Sequence, residues 1–149
     1  MDIQRLNMDN SWYLRIGNLR LLADPWLEGA EIDYFRWFNT QWHRTAPISY
    51  SALPDYDAVL ITQQYPDHFH IQTLQRLQPP VIILPDTVFP KARGLFPNAQ
   101  ILPISTKNPS CEVRGVKIER MLSTTRFGPD FHAISISDGN EAVILAPHG

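Results

Sequence analysis

The sequence predicts a single α/β domain of α+β-like character, and three observations carry that expectation. The middle of the chain reads strand, helix, strand, helix, strand; both ends read as β-hairpins; and no internal repeat or low-complexity tract divides the 149 residues. A chain of this length buries enough surface to form a core unaided. With 44% hydrophobic residues, 19% charged residues and a formal net charge of −2 it has an ordinary globular composition, too weakly basic to predict a nucleic-acid partner.

The first hairpin lies in "SWYLRIGNLRLLADP". Trp12, Leu14 and Ile16 alternate with polar neighbours, Gly17-Asn18 supplies a two-residue turn, Leu19 to Ala23 return, and Asp24-Pro25 ends the pair. Residues 26–50 hold three of the four tryptophans with little periodicity. They predict a long aromatic loop over the strand ends, with Trp26, Trp37 and Trp42 as candidate walls of a substrate pocket. "DYDAVLIT" is a buried strand. "IQTLQRLQ" spaces Ile71, Leu74 and Leu77 for a short amphipathic helix halted by Pro79-Pro80. "VIILP" is the next strand, and "DTVFPKARGLF" a second helix with Asp86 as candidate N-cap, Gly94 near its end and Pro90 limiting its first turns. "AQILPI" follows. From Ser110 the text is β: "CEVRGVKIERML", then "FHAISISD" and "EAVILAP" joined by a turn at "GN".

Candidate chemistry collects in "TQQYPDHFH". Asp67, His68 and His70 fall just beyond the C-terminal end of a predicted strand, where α/β folds place reactive groups. Two readings stay open on the residues alone: a metal site, or a loop in which Asp67 caps the helix that begins near His70. His148, after a strand and Pro147, is a further candidate ligand. His43 and His132 read as surface and core histidines, and Asp24 as a turn residue that could also support a ligand from behind. Any metal must use imidazole and carboxylate, because Cys111 is the only cysteine. A G-x-S-x-G elbow and a Gly-rich phosphate loop are both absent from the sequence. The polar opening "MDIQRLNMDN" lacks the pattern of a signal peptide, and no apolar run approaches the ~20 residues of a membrane helix. A cytoplasmic setting and no membrane association are therefore expected.

Thr62 to His68 resembles the metal-binding signature T-H-x-H-x-D-H of the metallo-β-lactamase superfamily, with Asp67 and His68 at its last two positions. "LRLLADPWLEG" resembles the strand and Asp-Pro turn of members related to ascorbate-phosphate lactonases, "AVILAPHG" a late strand of the same fold, and "TQQYPDHFH" a variant motif of a plant and cyanobacterial branch. The resemblance implies an αββα sandwich, here incomplete or truncated since the chain ends soon after an apolar strand. It implies zinc or another divalent metal as cofactor, with Asp67, His68, His70 and His148 as its candidate ligands and Asp67 as the catalytic carboxylate. The first two histidines of the signature are replaced by Gln63 and Tyr65, which are weak ligands, so the first metal position is expected to be lost. The implied activity is hydrolysis of a small-molecule ester, lactone, thioester or phosphoester by metal-activated water. The alternative is an inactive binding or interaction module that retains the fold. In "EAVILAP", Val143 and Leu145 face one way and Ala142, Ile144 and Ala146 the other, so self-association or a completing chain is expected.

Overall fold

The structure, a computed structural model, describes residues 1–32, 40–122 and 132–146, with backbone alone for residues 31, 32, 40, 122 and 132. Asp2–Arg5 (β1), Trp12–Ile16 (β2) and Leu19–Ala23 (β3) form an antiparallel meander. β2 and β3 are the expected hairpin, running from Trp12 opposite Ala23 to Ile16 opposite Leu19. Gly17 turns the chain at φ +50°, and a Cβ there would stand 3.1 Å from the Asp138 side chain, so both conformation and space favour glycine. The alternation of apolar residues gives no sign of β1, because all four of its side chains are exposed on the edge of the sheet.

Two short strands, Glu31–Ile32 (β4) and Thr40–Gln41 (β5), pair with each other within the predicted aromatic loop. Ala58–Leu60 (β6) then lies parallel to β3. Ile71–Leu77 (α1) follows, with Leu74 fully buried; it ends at Gln78, whose left-handed conformation lets its N–H reach the Leu74 carbonyl before Pro79-Pro80. Val81–Pro85 (β7) leads through a 3-10 turn at Asp86–Val88 into Phe89–Leu95 (α2). Asp86 does not cap α2 as expected: it starts the 3-10 turn, and Pro90 occupies the first turn of the helix, where a missing N–H is harmless. Gln100–Ile104 (β8) completes a six-stranded sheet of order β1-β2-β3-β6-β7-β8. Ser110–Val113 (β9), Val116–Leu122 (β10), His132–Ser137 (β11) and Ala142–Leu145 (β12) build a second, antiparallel sheet of order β12-β11-β10-β9.

The predicted α/β class is observed, and the period-2 alternation decides the layers. Leu14, Ile16, Leu21, Leu60 and Ile83 of the first sheet pack against Val116, Ile118, Ile134 and Ile136 of the second. On the other face Leu22, Val59, Ile61, Ile82 and Leu84 pack under Leu74, Ala92 and Phe96 of the helical side. The described residues thus stack as helices, sheet, sheet. The outer face of the second sheet carries the Lys117–Glu119 ion pair (2.8 Å) together with Met121 and Ile144, which are 43% and 59% exposed. β12 is an edge strand, and Val143 and Leu145 turn toward the sandwich as the alternation predicts.

At the end of β6 remote from the motif, buried Asp57 accepts from the Arg20 backbone N–H (2.9 Å), from Arg20 Nε (3.1 Å) and Nη2 (2.9 Å), and pairs with Arg114 of the β9–β10 turn (3.1 Å). The Arg20 hydrogen bond holds the Asp57 carboxyl below the usual carboxylate range. Among the described residues no helix is long and apolar enough to cross a membrane.

Candidate functional site

The site grows from the C-terminal ends of two parallel strands. β3 ends at Asp24, which takes a positive φ of +45° that non-glycine residues adopt at a cost. Its neighbours hold it there. Ser11 Oγ donates to the Asp24 carbonyl (2.7 Å) and accepts from the Trp26 N–H (3.0 Å). Asn7 Nδ2 reaches both Ser11 Oγ (2.7 Å) and the Trp26 carbonyl (2.8 Å), so a buried amide and hydroxyl brace the Asp-Pro turn. β6 runs alongside, and the Asp24 N–H bonds the Leu60 carbonyl at 2.9 Å.

This backbone delivers the Asp24 carboxylate, 2% exposed, to the start of the motif. One oxygen accepts from the Thr62 N–H (2.7 Å); the other accepts from Thr62 Oγ1 (2.5 Å) and from His68 Nδ1 (2.8 Å). A single turn brings His68 back to this point, closed by the Phe69 N–H on the Tyr65 carbonyl (2.7 Å) and anchored by Phe69 packing edge-on to Phe96. The Asp24 acceptor assigns the proton to His68 Nδ1 and directs Nε2 toward Asp67, whose Oδ2 lies 3.6 Å away. Burial opposes charge on His68, but the hydrogen bond and charge of Asp24, with the charge of Asp67, outweigh it and raise its pKa.

The neighbouring imidazole behaves differently. His70 is the N-cap of α1: its Nδ1 accepts the Thr73 N–H (3.2 Å) and lies 2.7 Å from Thr73 Oγ1. That hydroxyl accepts the Leu27 N–H (3.1 Å) and so donates to His70. The cap is therefore His70 rather than Asp67, and this assigns the His70 proton to Nε2. Burial lowers the His70 pKa to about 4.

Of the residues singled out in the sequence, Asp67 and His68 are brought together, while His70 uses Nδ1 to cap a helix. Trp26 is 1% exposed, its Nε1–H bonded to the Glu28 carbonyl (2.9 Å) and its ring 4.0 Å from that of His43, so it is core rather than pocket wall. Trp42 is 70% exposed. The opening beside the motif is lined by Gln63, Tyr65, Asp86, Thr87 and Arg120 and by neither of these tryptophans. Trp37 and His148 lie outside the described residues, as does the side chain of His132. Sequence reasoning missed Thr62, Thr73 and Arg120, and gave Asp24 too small a part; the Asp-Pro pair at a strand end was the one available signal.

The donor set can be tested for metal. Donors about 2.0–2.2 Å from one tetrahedral ion stand roughly 3.3–3.6 Å apart, which the Asp67–His68 spacing meets, and His68 has the carboxylate support common behind ligating imidazoles. Among the described residues no third His, Cys, Asp or Glu joins them. The set fits part of one ion's shell and not two ions.

With the Asp-Pro turn, the motif and the two sheets in place, the comparison with known proteins is decisive. Residues 6–133 match the beta-lactamase superfamily domain. The chain belongs to the beta-lactamase superfamily. Its fold is of metallo-β-lactamase type, as in an isothiocyanate hydrolase from Delia radicum gut bacteria (16% identity, TM-score 0.71, 98% of this chain and 62% of that one). It is shared by a possible metal-dependent hydrolase from Veillonella parvula (18%, TM-score 0.71, 97% and 61%). It is shared also by the metallo-beta-lactamase fold protein YhfI from Bacillus subtilis (16%, TM-score 0.58, 95% and 60%). The chain spans about 60% of the length of these three structures. No curated protein matches it.

Two predictions follow from this geometry. Replacing Asp24 by Ala strands the Thr62 N–H, the Thr62 hydroxyl and His68 Nδ1 in a buried site, and urea denaturation should show a loss of about 3–5 kcal/mol, less for Asp24→Asn.

His70 sets an acid limit. Its folded pKa lies below the ordinary 6.5, so its contribution is present above pH 6.5 and is lost as pH falls toward about 4, a swing on the order of 3 kcal/mol. His70→Asn keeps a capping residue without the titration, and urea melts between pH 6.5 and 4 should show a shallower decline than wild type.

Proposed function

We propose that this chain is a hydrolase of the metallo-β-lactamase fold with a degenerate site that holds one divalent ion, zinc or another, through Asp67 and His68. The observation that carries the reading is the oriented imidazole: Asp24 fixes His68 Nδ1 and leaves Nε2 facing the Asp67 carboxylate at 3.6 Å. A remaining ligand would come from outside the described residues, with His148 as the sequence candidate, or from His70 should Nε2 be recruited. A bound ion supplies acidified water for attack on an ester, lactone, thioester or phosphoester. With such an ion bound, Asp67 would be the group placed to orient the water and accept its proton, while Asp24 keeps His68 in one tautomer. The isothiocyanate hydrolase and the possible metal-dependent hydrolase of the same fold support the reaction class.

Elemental analysis of protein purified without chelator tests this. The expected result is at most one ion per chain, lost in the Asp67→Ala/His68→Ala pair, with lactones, thioesters or phosphoesters turned over and β-lactams untouched. Two tightly held ions, or metal content indifferent to the double change, overturns the assignment.

One observation favours the second reading, a binding or interaction module. Among the described residues β12 is an edge strand, and its outward Ile144 is 59% exposed beside exposed Ala142 and Ala146, an apolar strip at the margin of the sheet. It supports self-association. Light scattering coupled to size exclusion should show larger species with rising concentration for wild type and a smaller shift for Ile144→Lys; a wild type monomeric at every concentration contradicts it.

A further inference from the structure

The two residues that replace the signature's first histidines line one opening beside the motif. Gln63 follows β6 and is 4% exposed; Tyr65, two residues on, is half-buried. Both line a small opening, with a volume of about 30 Å³, whose far wall comes from the second sheet. That wall is Arg120. Its side chain lies on the inward face of β10, two residues beyond fully buried Ile118, and so enters the opening from between the sheets. Thr87 and Asp86, both exposed, close the rim from the 3-10 turn after β7. Gln63, Tyr65 and Arg120 each interact elsewhere in the protein as well.

We propose that this opening is an oxyanion seat: Arg120, with the Gln63 amide and the Tyr65 and Thr87 hydroxyls around it, binds a carboxylate or phosphate group on the substrate. A guanidinium presents five donors in a fixed plane that matches two oxygens of either group, and the lining adds an amide N–H2 and two hydroxyls, all competent donors to an anion. The opening has room for about two water-sized groups, which suits the oxygens of one terminal charged group and not a whole molecule. Asp86 is the one acidic group in the lining, and at the exposed rim water weakens its repulsion of a bound anion to a few-fold effect without removing it. Gln63 and Tyr65 are on the same loop as Asp67 and His68. On the hydrolytic reading, on which this step rests, the seat selects esters, lactones, thioesters or phosphoesters that carry an oxyanion near the scissile bond. Where the parent motif spends positions 63 and 65 on a metal, this chain uses them to recognise its ligand.

Binding is measured on the whole chain in chelator, by calorimetric and NMR titration with inorganic phosphate in one arm and lactate in the other. Saturable binding of either ion at one site is expected, and the preferred arm identifies the group. Arg120→Gln should weaken it about 10- to 100-fold. Arg120→Lys should weaken lactate more than phosphate, because an ammonium loses the planar two-point match. Asp86→Asn should tighten it about 3-fold by removing a nearby like charge, an effect that a purely structural role for Arg120 would not produce. Asp86 and Thr87 are exposed, so Asp86→Asn and Thr87→Ala remain informative if an Arg120 variant fails to fold. No saturable binding of either ion, unchanged binding in folded Arg120→Gln, or no tightening in Asp86→Asn overturns the seat. Oxyanion binding that persists while metal uptake and hydrolysis are both absent leaves the seat standing and removes the hydrolytic reading; hydrolysis without oxyanion binding does the reverse.

Discussion

The Asp24 carboxylate is the constraint on which the site depends. It sits at the end of β3, in a backbone conformation that costs energy, and accepts three hydrogen bonds from Thr62 and His68. Each partner would be costly to leave unpaired at this depth, so the turn, the motif and the imidazole stabilise one another or fail together. The brace from Asn7 and Ser11 extends the same dependence to the loop after β1. His68 is therefore oriented by the folded chain itself before any ligand arrives.

The two histidines of the motif show how one short stretch divides its labour. His68 sits between two carboxylates and is biased toward charge; His70, two residues on, caps a helix as a neutral acceptor and resists charge. Their environments push the two pKa values in opposite directions, which separates a group able to meet a cation or proton from one committed to structure.

The sheets were legible because their physics is local. Alternation in β2, the apolar runs of β6 and β7 and the Gly17-Asn18 turn each announce an element, and the layers follow from which face each side chain takes. β1 was not legible: an exposed edge strand needs no apolar residue, so its polar sequence looks like any loop. The candidate site was legible only as the closeness of Asp67 and His68, where the signature survives. It was illegible where it depends on residues distant in sequence, as with Asp24 and Thr62 or Arg120 and Gln63, since no spacing rule brings them together. The capping role of His70 was illegible for a related reason, because a histidine beside a metal motif and a histidine at a helix start have the same local sequence. Trp26 misled through composition, as aromatic residues in a long loop serve a core as readily as a pocket.

β6 is tied to β3 at both ends by carboxylates, one reaching from each side. Asp57 grips Arg20 before the strand begins, and Asp24 grips Thr62 after it ends, with Ala58, Val59 and Leu60 fully buried between them. The two grips fix the number of residues that fit in the span. Adding or deleting one would unseat an anchor, or turn Val59 from the helices to the sandwich and carry Ala58 and Leu60 the other way. The segment from Asp57 to Thr62 thus behaves as a ruler: its side chains can be exchanged for others of similar volume, but its length is fixed, and the distance along β6 from the ion cluster to the motif is set by counting residues.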